Sequence, residues 1–223
     1  MTTTQSTPGR PPDWPPLPHV PPLPRSPGTP LPTWSPPAEA ADDWLRQRLF
    51  ENRILLLHGP LDRSAATRLT AQLLALEAAA QRAIRLHIDS PWADLTAALL
   101  VCDALDMVQV TTHGLVMGEA GGATLAVLMA TGHRAAYRHA RIRLTEPPAE
   151  VASLSGDPRE AVEHHAGLLA DFVNRLAERT HRPADEISAD LKRRRYLTAP
   201  QAVQYGLLDE IATPGADAGV RAE

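Results

Sequence analysis

From Asp42 onward, short apolar runs alternate with longer amphipathic stretches, and this alternation limits the chain to very few architectures. Arg53 to Leu57 is an apolar run closed by Gly59-Pro60, and Ser64 to Ala80 then repeats Leu69, Leu73, Leu76 and Ala80 on one helical face. Ile84 to Ile88 reads as the next strand, Leu95 to Met107 as the next helix, and Val108 to Met117 as a third strand. Gly118 to Thr131 reads as a glycine turn feeding a helix of small residues. Farther on, Asp157 to Thr180 carries Ala161, His165, Leu168, Phe172 and Leu176 at helical spacing. Pro183 opens a shorter helix, Thr198 opens a last one that Gly206 ends, and Leu207 to Ile211 returns to the sheet. Such a series predicts an α/β domain of parallel strands joined by right-handed crossovers.

Composition divides the chain. Fourteen of its 22 prolines fall within residues 1 to 37, and Pro-Pro-Leu-Pro recurs at 15 to 18 and 21 to 24. Such a segment buries no core and favours extended polyproline II conformations. Residues 1–41 therefore read as a disordered tail, 42–211 as the domain and 212–223 as a loose C-terminal end. The tail reads as a solvated extension, a semi-rigid spacer or a ligand for a proline-binding groove. A net charge of −4 supplies no overall attraction for nucleic acid or anionic membrane. Lys192 to Arg195 forms one local basic cluster and reads as a solvated helix end. Cys102, the single cysteine, excludes an intrachain disulfide and fits a reducing compartment. The N-terminus has no signal-peptide pattern, and Ala123 to Thr131 is too short to span a bilayer, so the expected location is cytoplasmic.

Several polar groupings invite a chemical reading. Gly118, Gly121 and Gly122 match neither phosphate-loop spacing, and no lysine follows them, so they read as a tight turn against the sheet. His164 and His165 diverge by about 100° on a helix and are poorly placed to share a metal ion. Cys102 lies among Leu99, Leu100 and Leu105 and reads as a buried packing thiol. Asp157, Pro158 and Glu160 have the order of a helix cap. No cofactor or metal is expected.

Longer ordered segments carry a family resemblance. Arg53-Ile54-Leu55-Leu56-Leu57-His58-Gly59-Pro60-Leu61-Asp62, Leu86-His87-Ile88-Asp89-Ser90-Pro91, Gly118-Glu119-Ala120-Gly121-Gly122-Ala123-Thr124, Ile142-Arg143-Leu144-Thr145-Glu146-Pro147 and the stretch from Tyr196 to Ile211 together resemble the ClpP serine endopeptidases. The resemblance implies the ClpP/crotonase-like fold, a spiral of strand-strand-helix units, and seven-membered rings stacked face to face around a proteolytic chamber. It also implies a Ser-His-Asp triad, of which only Asp157 keeps its identity here. Thr145 stands at the histidine position. The nucleophile position falls on Ala120 by a gapless count, or on Gly122, the preferred choice, if the turn is two residues shorter. Neither carries a hydroxyl. Where the family has the glycines that serve its oxyanion site, this chain has Trp92, whose side chain is wide enough to fill the cleft, and Ala93. Around Arg194 a family acidic residue is replaced, which reverses a charge in a region that helps subunits dock.

A serine hydroxyl needs an imidazole within hydrogen-bond reach to take its proton, and the carboxylate only orients that imidazole. The leading expectation is therefore a catalytically silent Clp-protease subunit that builds or regulates a mixed ring. Its expected partners are ClpP paralogues and, indirectly, an ATP-dependent unfoldase. One alternative is a serine/threonine-type endopeptidase with a rearranged site using Thr124, Ser153 or Ser155, for which periodicity sets none of His113, His133 or His139 beside Thr145. Another is an adaptor whose proline-rich tail is mounted on a ClpP-like scaffold.

Overall fold

A computed structural model describes residues 38–148 and 158–213. Its elements are α1 (Ala38–Glu51), β1 (Ile54–His58), α2 (Arg63–Ala79), β2 (Ile84–Ser90), α3 (Leu95–Met107), β3 (Thr112–Gly121) and α4 (Thr124–Ala130). These are followed by β4 (His133–Ala136), β5 (Arg141–Leu144), α5 (Pro158–Thr180), α6 (Ala184–Lys192), β6 (Arg195–Thr198), α7 (Ala199–Tyr205) and β7 (Glu210–Ile211). The α/β class agrees with the sequence. The main path of the sheet runs β1-β2-β3-β4-β7, all parallel.

The ten-residue β3 organises this sheet. Its first half, His113 to Val116, pairs with β4, while Glu119 to Gly121 pairs with β5. On its other side the register against β2 slips between Ile88 and Ser90, so that Ile88 faces Val116 but Ser90 faces Ala120. Asp89 Oδ1 stabilises the irregularity by accepting from the Glu119 amide at 3.0 Å. Strand β6 pairs antiparallel with β5, a departure from the wholly parallel sheet expected.

Alternation along β2 sets the two faces. Ile84, Leu86, Ile88 and Ser90 are buried, with Arg85, His87 and Asp89 half-buried on the opposite side. Leu69, Leu73 and Leu76 of α2 and Ala97, Ala98, Val101 and Cys102 of α3 complete the same core, and α4 is buried from Thr124 to Met129. Arg53, placed in the first strand by the sequence reading, precedes it at φ 59. Its guanidinium donates to the carbonyls of Leu76, Ala80, Arg82 and Ala83, closing the C-terminal end of α2.

The glycine-rich segment differs from its expected form. Gly118 to Gly121 belong to β3, and the turn is confined to Gly122 and Ala123. β3 begins at Thr112 rather than Val108, and only Glu210 and Ile211 form the returning strand, while Leu207 and Leu208 are buried in the core. α1, β4 and β6 were not anticipated, and α1 starts ahead of the Asp42 boundary. Gly206 ends α7 in the left-handed region at φ 92, as its position after Tyr205 suggested.

Candidate functional site

The end of β3 and the end of β5 meet where the sequence placed the nucleophile and base. Gly121 pairs with Arg143, so the residues following each strand, Gly122 and Thr145, emerge together. A Cβ built on Gly122 has Thr145 O at 3.9 Å as its nearest contact. Gly122 has φ +56, its amide donates to Arg143 O at 3.3 Å, and its carbonyl accepts from Leu125 at the start of α4. This is a sharp strand-to-helix turn; Gly122 is itself buried, with room for a Cβ beside Thr145 O. Ala120 lies within β3, wholly buried between Ser90 and Ile142.

The chemistry at this junction is sparse. Glycine supplies no side chain, and Thr145 Oγ1 is buried without a hydrogen bond to any described residue. Thr124 is also fully buried, with its Oγ1 3.2 Å from Ser90 Oγ. His113 and His133 pair at the opposite end of the sheet, where β3 and β4 begin. Eight strand residues lie between His113 and Gly122, a span of roughly 30 Å. His139 is exposed in the link between β4 and β5. Asp157, Ser153 and Ser155 lie outside the described residues.

The neighbouring Ser90-to-Asp94 segment is tied down. The Trp92 carbonyl accepts from Leu61 N at 3.1 Å and from Ser90 Oγ at 3.0 Å, and Asp94 N donates back to Leu61 O at 2.9 Å. Asp94 also caps α3 through Ala97 N. Ala93 is buried, whereas Trp92 stays 37% exposed. The Trp92 ring therefore retains substantial contact with solvent.

Arg143 was missed by the sequence reading. Its guanidinium donates to Pro91 O, and its Nε lies 3.0 Å from Glu119 Oε1. The side chain thus joins the β2–α3 loop to the end of β3. Gly121 makes room for it, because a Cβ there would lie 2.7 Å from Pro91 O and 3.0 Å from Arg143 Nε. The available signal was an arginine one register pair from a glycine, which is visible only once β3 and β5 are aligned.

A second polar centre corrects the basic-cluster reading. Asp190, buried on α6, accepts from Arg195 at 2.8 Å and from Tyr205 Oη at 2.9 Å, with Arg193 3.5 Å away. Burial pulls its carboxyl upward, but the hydrogen bonds from Arg195 and Tyr205 and the two arginine charges outweigh that effect and hold the pKa below its ordinary value. Tyr205 moves up, first through burial and then through its bond to Asp190. Arg195 is thus a structural partner within β6, not part of a solvated helix end.

The other candidates stay apart from the junction. Gly118 and Gly121 are strand residues and form no anion-cradling loop. His164 is exposed and His165 half-buried on α5. No group of three potential metal ligands occurs among the described residues. Cys102 is fully buried, and burial pushes its thiol up to about 12. No described helix is long and apolar enough to cross a membrane.

Comparison with known proteins adds a consistent set of matches. The model of the Clp protease family matches residues 38–215. The ATP-dependent Clp protease proteolytic subunit 2 of Rhodococcus jostii (strain RHA1) is 32% identical over 180 residues, covering 79% of this chain and 92% of the relative. Proteolytic subunit 1 of Corynebacterium jeikeium (strain K411) is 32% identical over 174 residues, covering 77% and 93%. Proteolytic subunit 1 of Mycobacterium bovis (strain ATCC BAA-935 / AF2122/97) is also 32% identical over 174 residues, covering 77% and 87%.

Proposed function

The chain belongs to the Clp protease family, and we propose that within it the protein is a catalytically silent ClpP-type subunit that builds or regulates a mixed Clp ring. One observation carries this reading: the turn at the end of β3 presents Gly122 toward Thr145, bringing together two residues that supply neither a nucleophilic oxygen at position 122 nor an imidazole. Amide hydrolysis by this family's chemistry begins with proton transfer from a hydroxyl to a base, and that pair is absent from the junction. Asp157, as the remaining triad counterpart, has no imidazole at 145 to orient. Thr124 makes a weak substitute because its hydroxyl is buried against Ser90.

Fold and chemistry are separable in this reading. The contacts that hold β5 and the C-terminal elements use no side chain at position 122 or 145, so the subunit's form does not require its reaction. The partners proposed are active ClpP paralogues, with an ATP-driven unfoldase reached through them, in the cytoplasm. Co-expression with such a paralogue, followed by native mass measurement, should give rings containing both chains. The chain isolated from other peptidases should hydrolyse no small peptide and take no serine-directed fluorophosphonate. Turnover together with labelling in that preparation would overturn the proposal.

A further inference from the structure

The β5–β6 limb leaves the main path of the sheet and presents a face of its own. Ile142 and Leu144 of β5 and Leu197 of β6 are buried, so Arg141, Arg143, Tyr196 and Thr198 turn to the other side. In register, Arg143 stands opposite Tyr196 and Arg141 opposite Thr198. Tyr196 is 59% exposed. Two residues ahead of it, Arg194 is exposed at φ 53, and Lys192 is exposed at the end of α6. From Arg194 past Tyr196 to Arg141, opposite Thr198, the line is four strand steps, roughly 13 Å. Among the described residues β6 pairs with β5 alone, so its far edge carries no strand.

The charge along this edge is uncompensated. Arg141 donates to the carbonyls of His139 and Ala140, and neither Lys192 nor Arg194 forms an ion pair with a described residue. Neighbouring carboxylates are already engaged: Asp190 by Arg195, Tyr205 and Arg193, and Glu119 by Arg143. Glu146 borders the same groove as Lys192 but makes no ion pair with it. Cations on a free edge repel neutral and basic strands from pairing there. An acidic strand meets no such barrier, and an exposed tyrosine between arginines has the composition of an interface anchor. A single aromatic ring on a chain of net charge −4 is a poor platform for a run of nucleic-acid bases.

We infer that the free edge of β6 receives an extended acidic segment of a partner polypeptide, its carboxylates meeting Arg141, Lys192 and Arg194 and its chain lying along Tyr196. This does not depend on whether the Gly122 junction is silent. The test uses the full chain and the fluorescein-labelled peptide Glu-Thr-Glu-Thr-Glu-Thr-Glu, whose carboxylates share one face when extended. Its Gln-for-Glu counterpart is the uncharged control, and oligothymidylate is the competitor. Binding is expected at 50 mM NaCl and should weaken about fivefold in Arg141→Glu/Arg194→Glu, which removes two exposed ion pairs. Tyr196→Ala should weaken it about tenfold. Arg82→Glu, an exposed arginine outside this face, should leave it unchanged. Lys192→Glu alone serves as the second charge variant if the double variant unfolds. Absence of peptide binding, equal binding by the folded variants, equal loss in Arg82→Glu, equal binding of the Gln peptide, or displacement by oligothymidylate at the peptide's own concentration would each overturn the inference.

Discussion

Serine placed at position 122 or at position 121 separates backbone strain from steric crowding within one turn. At 122 the added Cβ has open space, with Thr145 O no nearer than 3.9 Å, but φ +56 is a left-handed conformation. That conformation costs a non-glycine residue about 1–2 kcal/mol. At 121 the Cβ would lie 2.7 Å from the Pro91 carbonyl, so the β2–α3 loop must move and the Arg143 bond to that carbonyl is put at risk. Overpacking of about 1–3 kcal/mol, with about 1.5–3 kcal/mol for a lost charged hydrogen bond, gives about 3–6 kcal/mol. For a domain of this size each kcal/mol lowers Tm by about 2–4 °C. Thermal denaturation should therefore show a small loss for Gly122→Ser and a loss two to three times larger, to about that precision, for Gly121→Ser. Gly122→Ser should also stay unlabelled by fluorophosphonate, because a hydroxyl without an imidazole is a poor nucleophile. The reverse stability order would refute the steric reasoning, and labelling of Gly122→Ser would show that a base is within reach after all.

Asp190→Asn should destabilise the fold by about 1.5–2 kcal/mol in urea unfolding, since it replaces the buried carboxylate that accepts from Arg195 and Tyr205 while leaving the arginine half-exposed. The folded pKa of Asp190 is depressed, so its contribution is complete above the unfolded value of about 3.9 and is lost as pH falls through the lower folded value. The urea midpoint of the parent should consequently fall more steeply below pH 4 than that of the Asn variant. Cys102, buried and with its thiol raised to about 12, should resist a disulfide reagent at pH 8 until the protein unfolds; rapid native labelling would contradict the packing described. Thr198→Ala removes the hydroxyl half of the Thr198–Gln201 capping box, leaving the bond from the residue-198 amide to Gln201, and should cost about 1 kcal/mol in the same urea assay.

The parts of the fold legible in the sequence are those whose pattern is local. Leu69, Leu73 and Leu76 repeat at helical spacing, Ile84, Leu86 and Ile88 at strand spacing, and Thr198 and Gly206 mark the ends of one helix by cap chemistry. β4 and β6 were not legible: His133 to Ala136 and Arg195 to Thr198 are four-residue strands that exist because β3 and β5 offer them partners. The run from Gly118 to Gly121 read as a turn because glycine usually marks one. Here Gly121 is needed inside a strand, where Arg143 and Pro91 crowd its Cα. The same distinction holds at the site. Gly122 and Thr145 were proposed from linear motifs, whereas the Glu119–Arg143 pair spans 24 residues and arises only from the pairing of Glu119–Gly121 with Arg141–Arg143.

A nucleophile held at a left-handed turn is a strain that an active enzyme offsets elsewhere. Glycine at 122 releases it, since φ +56 imposes no side-chain penalty on that residue. Other stabilising contacts lie away from position 122: Arg134 with Asp209 between β4 and the approach to β7, Asp190 with Arg195 and Tyr205, and the Thr198 cap of α7. The Arg143 clasp even adds a tie between Glu119 and Pro91 beside the turn. Under the proposed silent reading, a glycine at 122 would leave these contacts in place and carry no side-chain penalty at its own φ of +56. That separation is the physical condition the proposal requires: the contacts that support the subunit must be independent of any side chain at position 122.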